Sequence, residues 1–151
     1  MPLGTNKRAA RTKLELLRRV PAFAGCTDRE LEQIARHVDD WTLEAGAGLT
    51  RQGSAGHEAF VIIEGQATVR VGGAPVAVLG PGEIVGEMSM LDHQPRSATV
   101  IADTPMRVLV IGPESFDEFA SLRPVARQLT KELAERLRRA DNASVAVDAT
   151  G

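Results

Sequence analysis

The stretch Gly80-Pro81-Gly82-Glu83-Ile84-Val85-Gly86-Glu87-Met88-Ser89-Met90-Leu91-Asp92-His93-Gln94-Pro95-Arg96-Ser97-Ala98-Thr99-Val100 changes character twice. Strand-like residues lead up to Gly86, and Glu87 to Leu91 then reads as about one helical turn. Pro95 ends that turn, because a proline disfavours helix in the residue before it, and a new strand begins at Ser97. A short helix thus interrupts a sheet. The glycine at its start lets backbone approach a ligand closely, and the open amides of a helix start suit an anionic group. Glu87 and Arg96 stand nine residues apart, enough for the chain to turn back and bring both side chains into one pocket. A guanidinium grips two phosphate oxygens at once, and a carboxylate accepts hydrogen bonds from a sugar hydroxyl. Together the pair suits a phosphosugar; on these residues alone, a surface glutamate and arginine flanking a loop is an equal reading.

Outward from this stretch, glycine-bearing turns recur from Trp41 on: Gly46 and Gly48, Gly53 and Gly56, Gly65, Gly72-Gly73, Gly80-Pro81-Gly82 and Gly112-Pro113. Between them, Ala59 to Glu64, Gln66 to Val71, Pro75 to Leu79, Ser97 to Ala102 and Met106 to Ile111 are strand-length and rich in β-branched residues. Many short, evenly spaced strands predict a barrel or sandwich. Helical periodicity appears at both ends. Asn6 to Val20 carries Leu14 and Leu17 on one side with Ala10 behind them, and Pro21 predicts its stop. Thr27-Asp28-Arg29-Glu30 has the spacing of a capping box, with Leu31, Ile34 and Ala35 facing inward. Glu114 to Leu122 is helical in pattern, as is Val125 to about Arg139, where Leu129, Leu133 and Leu137 form one stripe with Ala126 and Ala134 beside them. The tail from Asp141 to Gly151 reads as frayed.

The central stretch resembles the phosphate-binding cassette of cyclic nucleotide-binding domains, the modules of bacterial catabolite activators, protein kinase A regulatory subunits and cyclic nucleotide-gated channels. Gly86, Glu87, Met88 and Ser89 match the cassette's head, and Pro95, Arg96, Ser97, Ala98 and Thr99 match its tail. Val85 stands where the family has phenylalanine. Arg51-Gln52-Gly53 looks like the family's second strand, Ala59 to Gly65 like its third, and Gly80-Pro81-Gly82 like the turn before the cassette; the likeness runs from about Leu17 to Arg139. It implies a mainly β fold with flanking α-helices: an eight-stranded, jelly-roll-like β-roll with N-terminal helices, a short cassette helix and C-terminal helices. As one domain over 1–140, this places N-terminal helices at 6–38, the roll at 40–112 with the cassette at 86–98, C-terminal helices at 113–140 and a flexible tail at 141–151.

The resemblance also implies a ligand and its contacts. Glu87 and the Gly86 backbone would hold the ribose 2′-hydroxyl, with Met88 and Ser89 completing the cassette head. Arg96 with the Ser97 and Ala98 amides would hold the cyclic phosphate. Val71 and Ala77 fall where the family places apolar walls for the purine, and Leu133, Arg136 or Leu137 would supply the lid over the base. By analogy the ligand is cyclic AMP, with cyclic GMP possible, since a Ser97 hydroxyl helps a syn guanine without excluding adenine. The resemblance implies no further cofactor.

Composition bounds the alternatives. Of 151 residues, 43% are apolar and 25% charged, a globular balance sufficient for one core. The net charge of −2 hides a basic start, with Lys7, Arg8, Arg11, Lys13, Arg18 and Arg19 against Glu15, and an acidic body from Pro21 to Arg123. A solvated basic helix face accounts for the asymmetry better than a nucleic-acid arm. Cys26 is the only cysteine, so no intrachain disulfide forms, and a cytoplasmic location is the expectation. No apolar run reaches the ~20 residues of a membrane helix. His37, His57 and His93 are far apart, against a histidine-rich metal enzyme, and His93 reads as a loop residue; no catalysis and no metal site are expected. A ligand-sensing module is therefore expected, its C-terminal helix rearranging on binding and its regulated protein unidentified. The alternatives are part of a catabolite-activator-type transcription regulator, or a ligand-free roll that binds protein. DNA binding is disfavoured because too little chain follows Arg139 for a winged helix-turn-helix.

Overall fold

A computed structural model describes residues 7–150, apart from the side chains at 7–11, 22, 136 and 139–150. Helices flank eight strands: α1 (Lys7–Arg18), α2 (Asp28–Ala35), β1 (Asp39–Leu43), β2 (Gly48–Thr50), β3 (Ala59–Glu64), β4 (Ala67–Val71), β5 (Ala74–Leu79), β6 (Ile84–Val85), α3 (Glu87–Asp92), β7 (Thr99–Ala102), β8 (Met106–Ile111), α4 (Pro113–Ser121) and α5 (Arg123–Thr150). The strands form two four-stranded sheets, ordered β1-β8-β3-β6 and β2-β7-β4-β5. Every pairing is antiparallel. This is the mainly β roll with flanking helices that the resemblance implied.

The central strands of the first sheet, β3 and β8, are buried on both faces, which explains why they read as nearly continuous apolar runs instead of alternating. In β3, Phe60 and Ile62 join Val108 and Val110 of β8 in a cluster between the sheets. Ala59, Val61 and Ile63, with Leu109 and Ile111, face the other way and meet the helices. That second cluster takes Leu16 and Leu17 of α1, Leu31 and Ile34 of α2, Phe116 and Phe119 of α4, and Val125 and Leu129 of α5. The capping box opens α2 as its spacing predicts: the Glu30 amide donates to Thr27 Oγ1 at 3.2 Å, and the Thr27 amide donates to Glu30 Oε1 at 2.9 Å.

Several boundaries differ from the sequence expectation. Arg51-Gln52-Gly53 is not strand but the turn just after β2, where Gly53 has φ +85°. Ser97 and Ala98 precede β7 as a bend, and Pro21 begins a 3-10 turn, Pro21–Phe23, rather than merely ending α1. The segment from Asp141, expected as a loose tail, continues α5 through Thr150. β1 has no apolar run of its own; pairing with β8 holds it, aided by Arg107, whose Nε and Nη2 donate to the two Asp40 carboxylate oxygens at 3.0 and 2.7 Å. That fork raises the Arg107 guanidinium above its ordinary value.

Candidate functional site

Gly86 starts α3 with φ +83°, a left-handed conformation that glycine adopts without the steric cost of a side chain. The turn aims Glu87 and Ser89 inward, leaving Glu87 only 1% exposed. At the far end His93 takes φ 57° as the C-terminal cap and sends the chain back toward Arg96, which is 7% exposed. Two buried groups of opposite charge are thereby set at the two ends of one short insertion.

Arg96 is held by backbone. Its Nη1 donates to the Gly86 carbonyl at 2.7 Å and its Nη2 to the Glu58 carbonyl at 2.5 Å. Its own amide donates to the Ser54 carbonyl at 2.8 Å, and its carbonyl accepts from the Gly53 amide at 2.9 Å. Two of the guanidinium's five N–H bonds are thus committed to those backbone carbonyls. Burial pushes the guanidinium below its usual value, while the Glu58 and Glu87 carboxylates push it back up. An arginine stays charged under these conditions, and a buried cation lining a cavity suits an anionic group. Nearby, Thr50 Oγ1 donates to the Ala98 carbonyl at 3.0 Å and the Gln52 amide donates to Thr99 Oγ1 at 2.9 Å, tying the end of β2 to the segment after Arg96.

These residues open onto one cavity of about 650 Å³, within the ~300–1,000 Å³ of small-molecule sites. Gly86, Glu87, Met88, Ser89, Arg96, Ser97 and Ala98 all line it, as do Val71 and Ala77. Val71, Val76 and Val78 of the β4–β5 hairpin are 43%, 59% and 60% exposed. They form an apolar wall open to solvent, and Val76 and Val78 were not anticipated from sequence.

The lid side differs from expectation. Neither Leu133 nor Leu137 lines the cavity, and Leu137 is 67% exposed. Arg136 lies outside the described side chains. α5 instead presents Glu132 and Glu135. Val125 and Leu129 anchor the helix in the helical core, and at about 100° per residue the positions turned toward the roll lie on the flank of the leucine stripe. Glu83 joins Glu132 and Glu135 in the lining, which among the described residues holds Arg96 as its one arginine. Thr50 is a further lining residue that sequence reasoning missed; its only signal was a hydroxyl beside a glycine turn. Among the described residues, no cluster of His, Cys, Asp and Glu has the arrangement of a metal site, and no helix is long and apolar enough to cross a membrane.

Comparison with known proteins agrees with this fold. The family model for the cyclic nucleotide-binding domain matches residues 41–122. A cyclic nucleotide-gated potassium channel of Rhizobium etli is 35% identical over 123 residues, which cover 81% of this chain and 34% of the channel. The cyclic AMP receptor protein of Thermus thermophilus is 32% identical over 127 residues, 80% of this chain and 59% of that protein. Among solved structures, the regulatory domain of Toxoplasma gondii PKA, crystallised with cAMP, shares the fold with a TM-score of 0.73 at 24% identity, covering 85% of this chain and 51% of that one. The chain belongs to the cyclic nucleotide-binding domain family. It spans about a third of the channel and under two thirds of the receptor protein.

Proposed function

We propose that this chain is a cyclic nucleotide sensor whose ligand is cyclic AMP and whose work is binding, not catalysis. The observation that carries this reading is one cavity lined by a buried glutamate and a buried arginine, set at the two ends of the α3 insertion. Arg96 and the Ser97 and Ala98 amides take the cyclic phosphate, and Glu87 accepts from the ribose 2′-hydroxyl beside the Gly86 backbone. The base lies on Val71 and Ala77. Glu132 and Glu135 stand across from it on α5, where a carboxylate accepts hydrogen bonds from the exocyclic amine of a purine.

The relatives' names support the ligand, since one is a cyclic AMP receptor and another a cyclic nucleotide-gated channel. The same geometry supports coupling: α5 forms part of the cavity lining, so a nucleotide that contacts it favours whichever α5 position makes those contacts best. The regulated partner is a protein that reads this change. Cyclic AMP is expected to raise the melting temperature in proportion to the logarithm of its excess over Kd, by about 2.7 kcal/mol of added stability at a hundredfold excess. Linear AMP, lacking the ring-closed phosphate, is expected to do far less. Equal shifts from both nucleotides would refute the cyclic-phosphate assignment.

A further inference from the structure

The loop between β2 and β3 grips Arg96 from several sides, through Gly53, Ser54 and Glu58. Gly56 lies in the middle of this grip. A Cβ placed on it would fall 2.5 Å from Ser89 Cβ and 2.9 Å from both Cζ and Nε of Arg96. Its φ is not left-handed, so the backbone conformation does not require glycine there. Among the described glycines it is alone in this: Gly65, Gly82 and Gly86 are crowded but have positive φ, and the others meet nothing within 4 Å. Space, not conformation, accounts for glycine at position 56.

The crowded neighbours have little room to yield. The guanidinium is tied to the Gly86 and Glu58 carbonyls, and Ser89 Cβ is the root of a buried side chain on α3. Gly56 does not line the nucleotide cavity; it borders a separate hollow of about 570 Å³ between α3 and α4. We propose that Gly56 is a positioning residue for phosphate recognition: its missing side chain lets Arg96 seat against the β2–β3 loop, fixing how far the guanidinium reaches into the cavity. This rests on the cyclic nucleotide reading of the site.

The test is a double-mutant cycle read by calorimetric titration with cyclic AMP, together with the melting temperature of each unliganded protein. Gly56→Ala is expected to weaken binding about tenfold or more in the wild-type background, the scale of a lost hydrogen bond to a charged group. In an Arg96→Ala, Ser89→Gly background the same change is expected to cost less than about twofold, because both side chains it crowds are gone. In a Ser89→Gly background, Gly56→Ala recovers melting temperature but keeps its affinity loss; should Gly56→Ala alone not fold, this pair of variants carries the comparison. Equal losses with and without the Arg96 side chain, or no loss in the wild-type background, would overturn the role of Gly56. Wild-type affinity in Arg96→Ala itself would overturn the reading of the site instead.

Discussion

Glu87 and Arg96 illustrate how burial turns two ordinary charges into a receptor. Removing a carboxylate from water is costly unless a charge or hydrogen bond compensates it, and Arg96 supplies a favourable charge within the same wall. On the cyclic nucleotide reading, a ribose hydroxyl adds a hydrogen bond to the Glu87 carboxylate. Glu87→Gln is therefore expected to weaken cyclic AMP, and 2′-deoxy-cyclic AMP to lose little further affinity on that variant, because both changes remove one contact. Losses that simply add, measured by titration of both ligands against both proteins, would separate Glu87 from the 2′-hydroxyl.

Among the elements, α2 shows how a local pattern becomes stability. Both arms of its capping box are formed, and the Thr27 backbone hydrogen bond leads the influences that hold the Glu30 carboxyl below the usual glutamate value. A depressed carboxyl contributes stability that is present above its unfolded value, near pH 4.3, and is lost as pH falls through the folded value. Glu30→Gln keeps a capping side chain but cannot titrate. Its melting temperature is expected to fall less steeply with acidification below about pH 4.3 than the wild type's, and parallel acid profiles would remove Glu30 from the account. α5 makes the contrasting point. Its leucine stripe is plain in the sequence, yet which flank faces the cavity depends on how Val125 and Leu129 seat in the helical core.

At the scale of the whole molecule, the sequence carried what is local and lost what is not. β3 and β8 were legible to their exact ends because a strand buried on both faces is a nearly continuous apolar run, broken only by Arg107 in β8, and the short helix α3 was legible because the glycine and proline that bracket it lie close in the sequence. β1 was not, since Asp39-Asp40-Trp41 has no strand pattern; its conformation comes from the ladder to β8 and from Arg107, 67 residues beyond Asp40. Glu132 and Glu135 were missed for the same reason, their place at the cavity being a property of helix docking. Thr50 and Gly56 act on residues some 40 positions away, beyond any local pattern.

Arg96 joins these scales, for it ties the β2–β3 loop to α3 and brings a positive charge to the cavity lining. The most direct measurement is calorimetric titration of cyclic AMP and linear AMP into the wild type and Arg96→Ala. Saturable, cyclic-selective binding in the wild type is expected, with about 1.5–3 kcal/mol lost in the variant, as for a hydrogen bond to a charged group. A variant that binds cyclic AMP as tightly as the wild type would contradict the assignment of Arg96 to the phosphate.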